Sequence, residues 1–289
     1  MSVRRSGINP KKFEKSQIKF YVILAPFVAF MLLPIIFIFN HAFKPMEELF
    51  AFPPRFFVQR PSLENLNNLF KAAELSNIPL SRYIFNSVLV TIIVVVVSVF
   101  ISALAAFALS KMNFKGKYVG MEINNAALMF VPTAVMIPRY LVINFMNLEN
   151  NYLGHILPLI AMPVGLFLIK QFIDQIPTEL IEAAVVDGAS QFTIFLKIIL
   201  PLTKPAIATA SLLIFQGVWN NIETSQLFMT SDSLRTLAFY LNTFASQTNN
   251  VVGQGIAAAA SLIMFLPNLI LFIILQSNVM NTMSHSGLK

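Results

Sequence analysis

Long apolar runs separated by shorter polar segments cover most of this chain. A helix needs about 20 mostly apolar residues to cross the hydrocarbon core of a membrane, and six runs reach or approach that length. The third run is interrupted by Pro132 and Pro138, which membrane helices tolerate where neighbours satisfy the freed carbonyls. The pattern predicts an all-α polytopic membrane protein in which 1–289 is a single transmembrane domain. The six predicted transmembrane helices lie near 20–43, 84–109, 119–146, 152–172, 205–219 and 256–275.

The composition supports the membrane class and excludes several kinds of active site. Hydrophobic residues make up 56% of the chain and charged residues 11%, whereas roughly a quarter of the residues in a soluble domain are charged. The absence of cysteine excludes disulfides, thiol nucleophiles and thiolate metal sites. The histidines are scattered and no catalytic triad or carboxylate pair stands out. We therefore predict neither a metal site nor an enzyme.

Positive charge predicts the orientation of the chain. The net charge of +7 does not indicate a nucleic-acid partner, because the basic residues cluster at the ends of apolar runs, as membrane topology requires. Counted from a cytoplasmic N-terminus, thirteen lysines and arginines fall inside and six outside. We therefore predict a multi-pass membrane protein with both termini cytoplasmic. The predicted segments are a cytoplasmic N-terminus (1–19), an external loop (44–82), a cytoplasmic loop (175–203) and a cytoplasmic tail (277–289).

The cytoplasmic loop has the pattern of two short helices joined by a tight turn. Pro177 suits the first turn of a helix, where its missing N–H costs nothing. Asp187-Gly188 is a typical helix stop, because glycine enters the left-handed region without a Cβ clash. A second helix is predicted from about Ser190 to Ile199, ended by Pro201. On this pattern alone, an ordinary amphipathic loop lying on the membrane is an equally good interpretation.

The particular residues favour a more specific interpretation. Glu182-Ala183-Ala184, Asp187-Gly188-Ala189 and Leu200-Pro201 resemble the EAA loop in the membrane subunits of ATP-binding-cassette (ABC) importers. Further similarity includes Asn86-Ser87 and Trp219-Asn220, and it extends over nearly the whole chain. The chain is most similar to the MalG-like half of the carbohydrate branch of this binding-protein-dependent transport family. The resemblance implies a type I ABC importer fold, a location in the bacterial inner membrane and a permease for a sugar or oligosaccharide.

The resemblance also implies partners and roles. The helix before Gly188 would be a coupling helix that docks into a cytoplasmic ATPase dimer, with Glu182 paired to a basic residue. Ala183 and Ala184 would allow close approach, and Gly188 would set the angle of the next helix. This chain has no G-x-x-x-x-G-K-[ST] loop, so ATP and Mg would be bound by the partner ATPase. A second related permease subunit and an extracellular solute-binding protein complete the implied assembly, the latter docking on 44–82 and 223–250.

Three residues are candidates for the substrate pathway, namely Arg139, Asn220 and Asn221. Arg139 lies within a predicted span, where charge is costly, so it should face the bundle interior or water. It would contact substrate or make a structural ion pair, and the sequence does not separate these alternatives. No acidic residue accompanies it in a span, which disfavours the alternative of an ion-coupled secondary transporter. Trp219 is interpreted mainly as a membrane-interface anchor.

Overall fold

A computed structural model describes residues 17–75, 78–247 and 251–286, and every regular element in these ranges is helical. This confirms the all-α prediction. Nearly all of the predicted cytoplasmic N-terminus, and the last three residues of the predicted tail, lie outside the described residues. In chain order the helices are α1 (Ile18–Phe43), α2 (Met46–Leu49), α3 (Glu64–Leu75), α4 (Leu80–Lys111), α5 (Lys117–Met129), α6 (Met136–Phe145), α7 (Tyr152–Ile160), α8 (Pro163–Asp174), α9 (Thr178–Val186), α10 (Gln191–Ile194), α11 (Leu200–Leu202), α12 (Lys204–Trp219), α13 (Glu223–Phe228), α14 (Leu237–Gln247) and α15 (Val251–Ser286).

Four helical segments of the described residues are long and apolar enough to cross a membrane. Two further candidates are bent helix pairs, so the predicted number of six is reached when each pair counts as one span. The four straight candidates are α1, α4, the combined α7 and α8, and Gly253–Ser277 of α15.

The third predicted span is not a continuous rod. The chain bends by 109° between α5 and the segment Pro132–Phe145, which ends with α6. Phe130 and Val131 are extended before Pro132, because proline disfavours helical backbone in the residue that precedes it. Pro138 lies in the first turn of α6, where proline is tolerated. The prediction of an interruption is therefore correct at Pro132 and wrong at Pro138.

The fifth span is shorter than a membrane is thick. Helix α12 has 16 residues, about 24 Å at 1.5 Å per residue, and the Gln191–Leu202 segment meets it at 81°. The prediction that Pro201 ends the second helix of the loop is wrong. A wide π turn at Phe195–Ile199 precedes Pro201, and such a turn rearranges the backbone hydrogen bonds where proline has no N–H to give.

Five clusters of buried hydrophobic residues form the core of the described chain, and two of them, called here the core centres, lie toward opposite ends of the bundle. At one end, Ile169 and Ile173 of α8 pack with Phe195 and Ile199. At the other end, Leu237 of α14 packs with residues of α4, α12 and α15. Helix α1 packs mainly on α15 and α3, and most of its apolar side chains are exposed. The two core centres hold two structured ends, which carry the candidate sites.

Candidate functional sites at the two ends of the bundle

The first site is the α9–α10 turn, defined here as residues 177–202. Pro177 is the N-cap of α9, one residue before the first turn in which it was predicted. Gly188 has φ of 78°, and its N–H bonds to the Val185 carbonyl at 3.0 Å while the Ala189 N–H bonds to the Ala184 carbonyl at 2.9 Å. This pair of bonds is a Schellman motif, which satisfies the last carbonyls of the helix. The predicted helix stop at Asp187-Gly188 is confirmed.

The two faces of α9 differ in their surroundings. Ile181 is buried, and Ala184 and Ala189 pack against the same core cluster. Glu182, Ala183 and Asp187 are exposed, and Val186 is 86% exposed. The two motif alanines therefore have different surroundings, because Ala183 faces away from the chain while Ala184 lies partly buried within it.

The turn is joined firmly to the helices above it. Lys111, at the end of α4, donates through Nζ to the Ile176 carbonyl. Asp174, at the end of α8, pairs with Lys170 at 2.7 Å and accepts a hydrogen bond from Ser110 Oγ. Leu200 is partly buried and Pro201 is exposed beside the 81° bend. These bonds tie α4 to α8 beside the turn, and the turn itself shares a buried cluster with both helices through Ile181, Phe195 and Ile199.

The second site is a cleft at the other end of the bundle, called here the amide cleft. Asn268 donates through Nδ2 to the Met264 carbonyl at 3.0 Å, while its buried Oδ1 has no partner in the described part of the chain. Met264 lies about 17 Å along α15 from Gly253 and about 20 Å from Ser277, so the cleft, at this end of the bundle, reaches to about the middle of that candidate span. Its volume is about 420 Å³, and it is lined by Asn220, Ile222, Ala238, Leu241, Asn242, Ala260, Ser261, Met264, Phe265 and Asn268.

Trp219 supports this cleft from behind. It is 7% exposed, its indole N–H donates to the Met264 carbonyl at 3.2 Å, and its ring stacks on Phe215. The interpretation of Trp219 as an interface anchor is wrong, because α14 folds over the end of α12 and buries the ring. Asn220 ends α12, exposed, with Nδ2 donating to the Gln216 carbonyl at 2.9 Å.

Asn221 and Arg139 do not line the amide cleft. The Asn221 side chain accepts from the Thr224 N–H at 3.0 Å and from the Thr224 hydroxyl at 2.7 Å, so it caps the start of α13. Arg139 pairs with Glu223 at 2.7 Å, with the two side chains 26% and 23% exposed. Arg139 therefore has an acidic partner, but one from outside the predicted spans. Glu223 is distant in sequence and lies in α13, so the structural ion pair is the alternative that the geometry favours.

A buried polar network holds the α13–α14 segment in the bundle, and sequence reasoning missed it. Asn86 donates to the carbonyls of Ser233 and Arg235 at 2.9 and 2.8 Å, and the Leu237 N–H donates to Ser87 Oγ at 2.8 Å. His155 is fully buried and contacts Thr224 and the Leu234 carbonyl. The available signal was a pair of polar residues at the start of an apolar run, since buried polar groups require partners. Glu223 had no comparable signal.

Comparison with solved structures identifies the class of fold. The chain superposes on a chain from the crystal structure of a bacterial ABC transporter involved in the import of the acidic polysaccharide alginate, with a TM-score of 0.76 and 22% sequence identity. The match covers 93% of this chain and 99% of that one. The bent spans and the α9–α10 turn thus belong to the fold of an ABC importer membrane subunit.

Sequence comparison identifies the family. Residues 98–279 match the model of the binding-protein-dependent transport system inner membrane component, and the chain belongs to this family. It is 30% identical to the probable ABC transporter permease protein YurM of Bacillus subtilis, over 96% of this chain and 91% of that protein. It is 28% identical to the sulfoquinovosyl glycerol transport system permease protein SmoH of Agrobacterium fabrum, over 89% of each. It is 31% identical to the arabinooligosaccharides transport system permease protein AraQ of Halalkalibacterium halodurans, over 71% and 72%.

Membership fixes the general function. The chain is a multi-pass membrane permease component of an ABC importer, a system that works with other subunits. The ion-coupled secondary transporter, which was the alternative prediction, is excluded by this membership.

Proposed function

We propose that this chain forms one half of the translocation pathway for a sugar or oligosaccharide, and that a separate ATPase drives it through the α9–α10 turn. The observation that carries the proposal is the two-sided character of this turn. Its inner face is packed into the bundle through Ile181 and Ala184, while its outer face offers Glu182, Ala183 and Val186 to a partner. A short rigid helix with one free face is well suited to transmit force between two proteins.

In this proposal the outer face of α9 sits in a cleft of the cytoplasmic ATPase dimer. Glu182 pairs there with a basic residue through a charge-assisted hydrogen bond, and exposed Ala183 lets the surfaces approach closely. ATP and Mg are bound and hydrolysed in the ATPase, since this chain has no phosphate-binding loop. Closure of the ATPase dimer moves the turn, and the buried cluster that Ile181 and Phe195 share with α4 and α8 carries that movement into those helices.

The orientation follows from the same proposal. The α9–α10 turn and both termini are cytoplasmic, in agreement with the excess of lysine and arginine on that side. The ends of α1 and α15 near Lys44 and Gly253 then face outward, with 44–82 as an external loop. The extracellular solute-binding protein would deliver substrate at this surface and at 223–250. A second related permease subunit would form the opposite wall of the pathway.

The amide cleft supports a carbohydrate as substrate. Amide groups both donate and accept, as sugar hydroxyls do, and the buried Asn268 Oδ1 beside the cleft has no hydrogen-bond partner within the described residues. The cleft includes the non-helical backbone of Asn220 and Ile222 between α12 and α13, and irregular backbone occurs at membrane depth where it lines a cavity. Relatives named for arabinooligosaccharides, trehalose and sulfoquinovosyl glycerol favour the same substrate class. Of the three predicted pathway residues, Asn220 fits this role, whereas Asn221 and Arg139 fit structural roles.

Cysteine cross-linking tests the coupling proposal, because this chain has no cysteine of its own. Val186→Cys places a single thiol on the outer face of α9, and a short bifunctional reagent should link it to the ATPase in native membranes. Lys71→Cys, exposed on α3 at the other end, is the matched control and should not react with the ATPase. Linkage of Lys71→Cys to the ATPase, with none from Val186→Cys, would reverse the proposed orientation. Failure of both variants to link would contradict the docking role.

The substrate class is tested on the binding protein that co-purifies with this chain. A thermal-shift screen against sugars, oligosaccharides, amino acids and peptides should give its largest stabilisation with a carbohydrate, because ligand binding stabilises the folded state. The same compound should then stimulate ATP hydrolysis by the reconstituted transporter. Stabilisation by amino acids or peptides alone would reject the carbohydrate proposal and leave the coupling proposal intact.

A further inference from the structure

The segment after α1, residues 50–60, does not extend away from the bundle but folds back along α1. The Val58 N–H donates to Asn40 Oδ1 at 2.9 Å, and Lys44 Nζ donates to the Arg55 carbonyl. The Phe56 ring contacts that of Phe37, with centroids 6.2 Å apart. These contacts run down the last two turns of α1, so we call this segment the phenylalanine loop.

The contact partners on α1 set the depth of the loop. The apolar run from Phe20 to Phe39 is roughly 30 Å long at 1.5 Å per residue, which matches the thickness of the hydrocarbon core. Asn40 is the first amide after this run and marks its end. Because Phe56 lies against Phe37, within the run, the loop reaches the boundary between the hydrocarbon and the lipid headgroups.

The loop presents aromatic rings that nothing in the described chain covers. Phe57 is 66% exposed and Phe52 is 95% exposed. Phe57 packs edge-on against Phe56, with centroids 5.0 Å apart. Its ring is therefore held at the same depth as Phe56. Rings of this kind would be costly to leave in water and are favourable in the interfacial layer of a membrane.

The charges around these rings match a phospholipid surface. Arg55 and Arg60 are exposed on either side of Phe56 and Phe57. The carboxylate of Glu48 is turned inward and accepts from the backbone N–H groups of Gln59 and Arg60 at 3.0 and 2.7 Å. Guanidinium groups bind phosphates well. Arg55 also donates to Gln59 Oε1 within the loop, and Arg60 shares a shallow cleft with the exposed Glu47 and Glu64, so these two arginines are the donors of the loop that can reach lipid phosphates.

We propose that the phenylalanine loop is an interfacial membrane anchor, in which the ring of Phe57 inserts into the outer leaflet while Arg55 and Arg60 contact lipid phosphates. The anchor would fix the outer end of α1, which packs mainly on α15 and α3. This inference goes beyond the proposed function and holds for any substrate. It uses the proposed orientation only to name the leaflet. It also removes residues 50–60 from the surface proposed for the solute-binding protein.

Spin labelling tests the anchor. Phe57→Cys and Phe52→Cys are labelled separately with a nitroxide in the assembled transporter, in vesicles of phosphatidylethanolamine and phosphatidylglycerol. Collision of the label with oxygen, which concentrates in lipid, is compared with collision with a water-soluble nickel chelate. Phe30→Cys in the middle of α1 is the hydrocarbon reference and Lys71→Cys on α3 is the aqueous reference. The cysteine-free chain in the same complex measures labelling of the other subunits.

The anchor predicts an oxygen-to-nickel ratio for Phe57→Cys that is several-fold above that of Lys71→Cys and below that of Phe30→Cys. Phe52→Cys should also exceed Lys71→Cys and serves as the second position if the label at Phe57 disturbs the loop. Ratios equal to that of Lys71→Cys at both positions would overturn the proposal. If those labels then became protected on addition of the binding protein, the loop would be its docking surface. Low collision with both reagents would assign the loop to a protein contact and would likewise overturn the proposal.

Discussion

The two ends of the bundle are built from bonds of very different range along the chain. In the α9–α10 turn, the bonds that fix the geometry join residues three to five positions apart, such as Gly188 to Val185 and Ala189 to Ala184. At the amide-cleft end, Asn86 bonds to the Ser233 carbonyl 147 positions away and Ser87 accepts from the Leu237 N–H 150 positions away. The turn itself is a local motif beside helices that are joined by longer bonds such as Lys111 to Ile176, whereas the amide-cleft end is an assembly of distant segments.

This difference suggests how each end performs its task. A locally bonded turn keeps its shape when the rest of the protein moves, as a docking element must. An end assembled by long-range polar bonds can exist in two arrangements, because those bonds can break and re-form without unfolding any helix. The comparison can be tested by substitutions that alter, in turn, the backbone geometry of the turn, its exposed surface, the polar groups of the amide cleft and the long-range pairs.

The largest effect is expected from Gly188→Val. A β-branched residue is strongly disfavoured at a φ of 78°, and the left-handed conformation alone costs an ordinary residue about 1–2 kcal/mol. No atom lies within 4 Å of the position a Cβ would take, so the effect comes from the backbone. Uptake should be lost while the protein remains in the membrane, measured by transport and by membrane abundance. Gly188→Asn should retain partial uptake, and full uptake by Gly188→Val would refute the role of the turn.

Glu182→Lys should also abolish uptake, through the surface rather than the fold. Glu182 is exposed and forms no ion pair within the described residues. Thermal unfolding should therefore stay near that of the unmodified chain while the ATPase no longer co-purifies. Glu179→Lys, an identical charge reversal one turn earlier in the same helix, is the control and should keep most of the uptake. Equal losses in the two variants would show that only the total charge of the turn matters.

A smaller effect is expected from Asn268→Leu in the amide cleft. The change removes an open acceptor, and one neutral hydrogen bond contributes about 0.5–1.5 kcal/mol, so apparent affinity in the uptake assay should fall by up to about tenfold. Asn221→Ala is the comparison, because it removes a helix cap instead. Asn221→Ala should lower thermal stability by about 1 kcal/mol and leave substrate affinity unchanged. A fall in affinity for Asn221→Ala alone would move the substrate site away from the cleft.

The Arg139–Glu223 pair tests the long-range assembly. Removing either partner leaves the other charge three-quarters buried, and intermediate burial gives a cost of about 1–3 kcal/mol. Arg139→Gln and Glu223→Gln should each lower the thermal unfolding temperature, and the double variant should lose less than their sum. If Arg139 instead contacts substrate, Arg139→Gln will reduce apparent affinity and Glu223→Gln will not.

The smallest effect is expected at Glu48, whose carboxylate accepts hydrogen bonds from backbone N–H groups 11 and 12 positions away. Backbone hydrogen bonds from Gln59, together with those from Arg60 and the nearby positive charges, lower the pKa of Glu48 below its usual 4.5. Because the folded pKa lies below the unfolded one, this stabilisation is present above about pH 4.5 and is lost as pH falls through the lower folded value. Amide protection at residues 50–60, measured as the observed hydrogen-exchange rate relative to the intrinsic rate at the same pH, should thus be constant above pH 5 and fall in more acidic solution. Glu48→Gln should lower this protection above pH 5, and the two proteins should converge in acid, where the Glu48 carboxyl is protonated.

Local patterns in the sequence were sufficient for the features that neighbouring residues build. The apolar runs, the helix stop at Asp187-Gly188 and the two-helix form of the α9–α10 turn follow from backbone preferences and the solvent alone. The bend before Pro132 could also be predicted from the sequence, because proline acts on the residue beside it. The continuation of the helix through Pro201 could not be predicted, because the π turn that permits it forms where Phe195 and Ile199 are packed in the core.

The tertiary structure decided everything that depends on which distant segments meet. In the folded chain Trp219 is buried and Arg139 pairs with Glu223. Asn221 caps the start of α13, and the phenylalanine loop folds back along α1. A charged or amide side chain in an apolar run must have a partner, and the sequence states that requirement without naming the partner. The choice is made by the packing of helices far apart in the chain, since only their mutual arrangement brings donor and acceptor within bonding distance.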